Sequence, residues 1–254
     1  VNLLASAVTD TLGRGGNLVI PSFAVERTQD MIYTLKILMD DGKIPRADIY
    51  IDSPMAVEAT KIFMEHPECF DDEATAEMEG AHAASLFEDR NIHYAKTMEE
   101  SVAINGVRSG AIILSASGMC EAGRIKHHLK HNLWREECTV LFVGYQSVGT
   151  LGRTILEGAS EVKLFGETVD VRARIMAFQG LSGHADKNGL IEWLNGFQEK
   201  PRKVFIVHGE DTVCTSFAEC LKYEHGYDTY APFSGTRFDL INNVFELEAA
   251  PKAK

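Results

Sequence analysis

The chain has 254 residues, 45% of them hydrophobic and 24% charged, which supports a large core in one or two domains. No apolar run approaches the roughly 18 residues that a membrane-spanning helix needs. A net charge of −12, from 25 Lys and Arg against 37 Asp and Glu, excludes coating of nucleic acid by bulk charge but permits a local grip on phosphate.

In chain order, Asn17-Leu18-Val19-Ile20-Pro21 reads as a short buried strand. A helix is expected over Glu26 to Leu38, with Met31, Leu35 and Leu38 on one stripe and a Glu26–Arg27 pair in its first turn. Asp48 to Ile51 is the next strand, ending at the turn and helix-start signal Asp52-Ser53-Pro54. A helical region from Val57 to Ala84 carries an acidic block, read as a solvated face. Ala111 to Leu114 is a third strand, followed by Ser115-Ala116-Ser117-Gly118 and a helix over Ala122 to Leu133. Thr139 to Val143 is a fourth. Strands alternating with helices at this spacing predict a Rossmann-like, mainly parallel sheet.

The pattern changes after Leu156. Glu161 to Phe165 and Val169 to Ile175 alternate in polarity around Gly166-Glu167, as two half-exposed strands do. A domain seam is expected near Phe178 to Leu181. Helices over Lys187 to Gly196 and Val213 to His225 then flank a strand running into His208. The first four residues lack an initiating Met and a basic region, so the expectation is a chain that starts inside a longer one rather than a signal peptide. Five scattered cysteines with no CxxC pair argue against a disulfide framework and for a reducing, cytoplasmic setting.

Two histidine motifs carry the chemistry. His208, in Val207-His208-Gly209-Glu210, follows an apolar run, and the glycine lets the backbone turn while the imidazole offers a metal-binding nitrogen. His184, in Ser182-Gly183-His184-Ala185-Asp186, precedes a helix that Asp186 can cap, and amides at a helix start suit phosphate. The Ser115–Gly118 turn, with Gly123-Arg124 after it, occupies the usual anion-contact position of an open α/β sheet. Arg27 reads either as a structural ion pair or as a phosphate contact. Asp52 reads as a buried carboxylate or a cap. His127, His128 and His131 read as packing and polar-face residues, since no third ligand is evident beside the i, i+4 pair. Gly149-Thr150-Leu151-Gly152-Arg153 lacks both the dinucleotide fingerprint and a P-loop lysine.

Taken in order, Ile20-Pro21-Ser22-Phe23-Ala24-Val25-Glu26-Arg27, Ile51-Asp52-Ser53-Pro54-Met55-Ala56, Ser115-Ala116-Ser117-Gly118-Met119 with Gly123-Arg124-Ile125, Val143-Gly144-Tyr145-Gln146, Gly149-Thr150-Leu151-Gly152 and the two histidine motifs resemble the β-CASP branch of the metallo-β-lactamase fold. That branch contains RNA-processing nucleases. The resemblance implies an α/β fold in which residues 1–178 form the inserted β-CASP domain and residues 179–254 form the returning C-terminal part of the metallo-β-lactamase domain. It implies that His184 contacts the scissile phosphate and donates a proton, that His208 is a zinc ligand, and that Ser182 and Gly183 line the phosphate site. RNA would be contacted by Arg27, Arg124, Ser115, Ser117 and Gly118. A homodimer is an expectation from size class alone.

The family's main zinc motif, His-x-His-x-Asp-His, does not occur in this sequence. Two zinc ions need several ligands, so this chain by itself is expected to neither assemble the site nor cleave RNA. The rival expectations are a non-catalytic RNA-binding or scaffold paralogue and an unrelated Rossmann-like nucleotide-binding domain.

Overall fold

The computed structural model describes residues 2–77, 86–178 and 183–251. Its contacts divide the chain into two units, Val1–Ser182 and Gly183–Lys254. The first unit runs α1 (Asn2–Gly13), β1 (Leu18–Pro21), α2 (Arg27–Asp40), β2 (Asp48–Ile51), α3 (Pro54–Glu65), a 3₁₀ turn (Pro67–Cys69), α4 (Asp72–Glu77), β3 (Ile92–Tyr94), α5 (Met98–Ile104), β4 (Ala111–Ser115), α6 (Ile125–Asn132), β5 (Thr139–Phe142), α7 (Leu151–Leu156), β6 (Glu161–Leu164), β7 (Glu167–Asp170) and β8 (Arg174–Ala177).

Six strands form one sheet in the order β3-β2-β4-β1-β5-β8, every pair parallel. Strands β1, β4 and β5 are apolar almost throughout because both faces of the sheet are covered. Alternation assigns the faces. Leu18, Ile20, Ile112, Leu114 and Leu141 join the core with Leu4 and Val8 of α1, Met31 and Leu35 of α2 and Val57 of α3. Val19, Ile113, Val140 and Phe142 point the other way, onto Ile104, Ile125, Leu129 and Ile155. The expected parallel Rossmann-like sheet is present.

Several expected boundaries differ. The helix expected from Val57 to Ala84 is broken after Glu65 by the 3₁₀ turn before α4 starts, and residues 78–85 lie outside the described residues. The strand expected from Val169 to Ile175 is two strands. β7 pairs antiparallel with β6, whereas β8 leaves that hairpin and joins the main sheet beside β5. The backbone N–H groups of Arg172 and Ala173 both donate to Leu133 O at 2.8 Å, which pulls the chain out of the hairpin.

The second unit contains α8 (Lys187–Asn195), β9 (Val204–Phe205), α9 (Asp211–Tyr223), β10 (Thr229–Tyr230), β11 (Arg237–Asp239) and β12 (Val244–Leu247). Strands β9 and β10 pair in parallel, and β11 and β12 form an antiparallel hairpin. Leu194, Leu221 and Tyr227 make its small core. The strand expected to reach His208 stops at Phe205, because its partner β10 offers only two paired residues. No helix among the described residues is long and apolar enough to cross a membrane.

Candidate functional site

The C-terminal edge of the six-stranded sheet holds a buried charged network. Asp52, directly after β2, has no solvent exposure. Its Oδ1 accepts a hydrogen bond from Arg124 Nη1 at 2.7 Å, and its Oδ2 accepts from His128 Nε2 and Ser101 Oγ, each at 2.6 Å. Arg124 Nη1 also donates to Ala95 O at 3.2 Å. Burial alone would raise the Asp52 pKa, but the bonds from His128, Ser101 and Arg124 outweigh it and hold the carboxyl below its ordinary 3.8. His128 Nδ1 is buried with no hydrogen-bond partner among the described residues. The Asp52 oxygen accepts, so the imidazole donates to it from Nε2. Arg124 addresses the other oxygen of the same carboxylate.

Three loops meet beside this network. Ser22 N donates to Ser115 O, and Gln146 Nε2 donates to Gly118 O and Gly144 O. The Phe23 ring lies so close over Gly118 that a Cβ there would sit 3.2 Å from two ring carbons. Gly123, with φ +81°, presses against Ala116 O, where a Cβ would come within 2.7 Å. Phe23 and Tyr145 remain about half exposed at this edge. Ser115 is buried, and its hydroxyl donates inward to Asp52 O at 2.8 Å rather than standing at the surface as the sequence suggested. Gly118 is likewise buried, Ser117 half-buried, and Arg124 half-buried with one guanidinium nitrogen held by Asp52. Arg27 is ion-paired, but with Asp30 at 3.3 Å; the expected partner Glu26 is instead the residue before α2, with φ 69°.

In the second unit, Gly183 and His184 are exposed, and Ser182 lies outside the described residues. Asp186 caps α8 by accepting from Gly189 N at 2.8 Å, as its position suggested. His208 is exposed on the loop before α9 and has φ 67°, so the histidine itself takes the left-handed turn. Gly209 serves a different end from the one expected: a Cβ there would meet Cys214 Sγ at 2.8 Å. His208 lines a cavity of about 510 Å³ with Val207, Cys214 and Phe217, and Lys187 and Leu190 of α8 line it too. The first turn of α8, which His184 precedes, and the His208 loop therefore share one pocket.

Residues 28–155 match the family model described as the Beta-Casp domain, half of the chain. This chain belongs to the β-CASP family. Residues 168–232 match the Zn-dependent metallo-hydrolase RNA specificity domain, a stretch that starts in β7 and takes in both histidine motifs. Similar proteins include Ribonuclease TTHA0252 of Thermus thermophilus, 38% identical over 201 residues, which cover 79% of this chain and 45% of the relative. Transcription termination factor FttA of Methanocaldococcus jannaschii is 30% identical over 91% of this chain and 37% of its own length. An RNase J-like protein of the same organism is 28% identical over 92% of this chain and 52% of its own length. The chain thus spans about half the length of these relatives or less.

Family membership implies metal dependence, and the β-CASP chain can be tested for it. Among the described residues, His208 belongs to no group of three potential ligands with converging atoms. One exposed imidazole does not fix two zinc ions, so the residues present do not by themselves fit that centre. Nor do the helical histidines form one. His127 stacks on Phe165 at 4.4 Å between ring centroids, and His128 is held by Asp52. The carboxylate–imidazole pair was missed in the sequence because its partners lie on different elements; the strand-end position of Asp52 was its only trace.

Proposed function

We propose that this chain is the β-CASP domain, residues 1–178, and the returning C-terminal part of the metallo-β-lactamase domain, residues 179–254, of a zinc-dependent ribonuclease of RNA processing or decay. The observation that carries the proposal is the RNA-specificity match over residues 168–232, within which His184 and His208 are both solvent-exposed in one unit. The contact division at Ser182/Gly183 supports the domain assignment, and the ribonuclease named among the relatives supports the reaction class.

In this reading His208 supplies one ligand of a metal centre completed elsewhere, and His184 steadies the phosphate and protonates the leaving oxygen. Gly183 lines the same phosphate site. Arg124, held in place by the buried Asp52, offers its remaining donors to RNA, and Ser117 and Arg27, both half-buried, are further candidate contacts. Ser115 positions the Asp52 loop. RNA contact is local, because the net charge of −12 opposes a general attraction.

The test uses labelled single-stranded RNA with this chain and added Zn²⁺. Salt-sensitive binding without cleavage is the expected result. Robust metal-dependent cleavage overturns the incomplete-centre reading, and specific thermal stabilisation by a mononucleotide in place of RNA binding overturns the nuclease reading.

A further inference from the structure

The far end of α9 carries a second set of groups that the ribonuclease reading does not use. Cys220 and Glu224 are four residues apart on one helical face, and His225 follows. One ligand atom from each of the three lies within 4.8 Å of the others. Cys220 is buried, His225 half-buried and Glu224 exposed, so the sulfur forms the floor and the other two can close over it. We propose that Cys220, Glu224 and His225 form a zinc site, with water or a ligand in the fourth position.

The donor set selects the metal. A thiolate with an imidazole and one carboxylate suits Zn²⁺ and disfavours Mg²⁺ or Ca²⁺, which need oxygen ligands. Tetrahedral zinc with ordinary bond lengths holds its ligand atoms about 3.5 Å apart, so the exposed side chains need move only slightly. The last turn of a helix also presents the negative end of its dipole to a cation. A cation already stands at the spot: Lys187 lines the depression that Glu224 and His225 line. Glu192 lines the same depression, and Lys200 is occupied in donating to His225 O and Gly226 O.

The charges balance on binding. Cys220 gives its thiol proton to solvent, and thiolate and carboxylate then neutralise the two charges of zinc, with His225 neutral. Lys187 swings out to water. Its ligands are distinct from His208, which precedes the opposite end of α9, where 13 helical residues span about 20 Å, although Lys187 lines both cavities. It stands independently of the ribonuclease reading.

The experiment is a Co²⁺ and Zn²⁺ titration of the full chain, followed by the thiolate-to-cobalt charge-transfer band and by competition with Zn²⁺. The expected result is one such band, lost in Cys220→Ser and kept in Cys214→Ser and His208→Ala. Cys220 is buried, so Glu224→Gln and His225→Ala test the surface ligands independently. Each is expected to weaken binding by more than the roughly tenfold that losing an outer-shell partner costs. Lys187→Met is expected to bind more tightly. Absence of the band, its survival in Cys220→Ser, or unchanged affinity in both surface variants overturns the proposal.

Discussion

His128 Nε2 lies 2.6 Å from Asp52 Oδ2, and neither side chain has any contact with solvent. The two residues belong to α6 and to the loop after β2, so their bond ties together two crossovers that cover opposite faces of the sheet. Arg124 and Ser101 complete the acceptance at the same carboxylate. The arrangement puts one guanidinium at the strand ends in a fixed pose.

Replacing Asp52 by Asn removes the charge that Arg124 and His128 address. The expected loss of stability is about 3 kcal/mol, at the low end for a broken buried pair because Arg124 keeps part of its hydration. Trp134 lies in the first unit and Trp193 in the second, so urea unfolding by fluorescence in a Trp193→Phe background reads the relevant unit. An unchanged midpoint would show that the network contributes nothing.

The same carboxylate sets an acid limb. Its pKa is lowered in the folded state, so its contribution is complete above the unfolded value near 3.8 and is lost as pH falls through the folded value. The wild type is expected to lose stability more steeply than Asp52→Asn below about pH 4. Parallel pH profiles of the two unfolding midpoints would contradict this.

How much of this was legible in the sequence depended on range. Strands β1, β4 and β5 were visible because burial on both faces leaves unbroken apolar runs. Helix α5 was missed although Thr97 and Glu100 make a capping box, with Glu100 N bonded to Thr97 Oγ1 at 3.2 Å and Thr97 N to Glu100 Oε2 at 2.9 Å. Strand β3, three residues at a sheet edge, carries too little pattern to recognise. The departure of β8 from its hairpin depends on Leu133 O and leaves no local trace; the Asp52–His128 pair joins positions 76 residues apart, and only the strand-end position of Asp52 hinted at it. The histidine motifs were visible as short signatures, but the left-handed turn at His208 was assigned to its neighbour.

Thiol reactivity should follow burial. Cys69 is exposed, whereas Cys120 is buried, which pushes its thiol up to about 12, and burial also raises Cys138. Native-state alkylation near pH 8 is expected to label Cys69 first and to reach Cys120 and Cys138 only on unfolding. Peptide mass spectrometry reads the order, and early labelling of Cys120 would refute the packing described.

Two glycines with similar backbone angles should respond differently to alanine. Gly149, φ +87°, has open space around it, so Gly149→Ala is expected to cost about 1 kcal/mol of left-handed strain. Gly123→Ala adds a collision with Ala116 O and should cost clearly more. Equal unfolding midpoints for the two variants would contradict the loop geometry.

The central claim is that His208 contributes a metal ligand to an RNA-cleaving centre. Its most direct test is the rate of RNA cleavage by a longer protein that contains this chain together with a complete zinc motif, compared with its His208→Ala variant. A loss of about 100-fold or more, with bound zinc reduced and the circular dichroism unchanged, is the predicted result. Full activity with unchanged zinc content would contradict it.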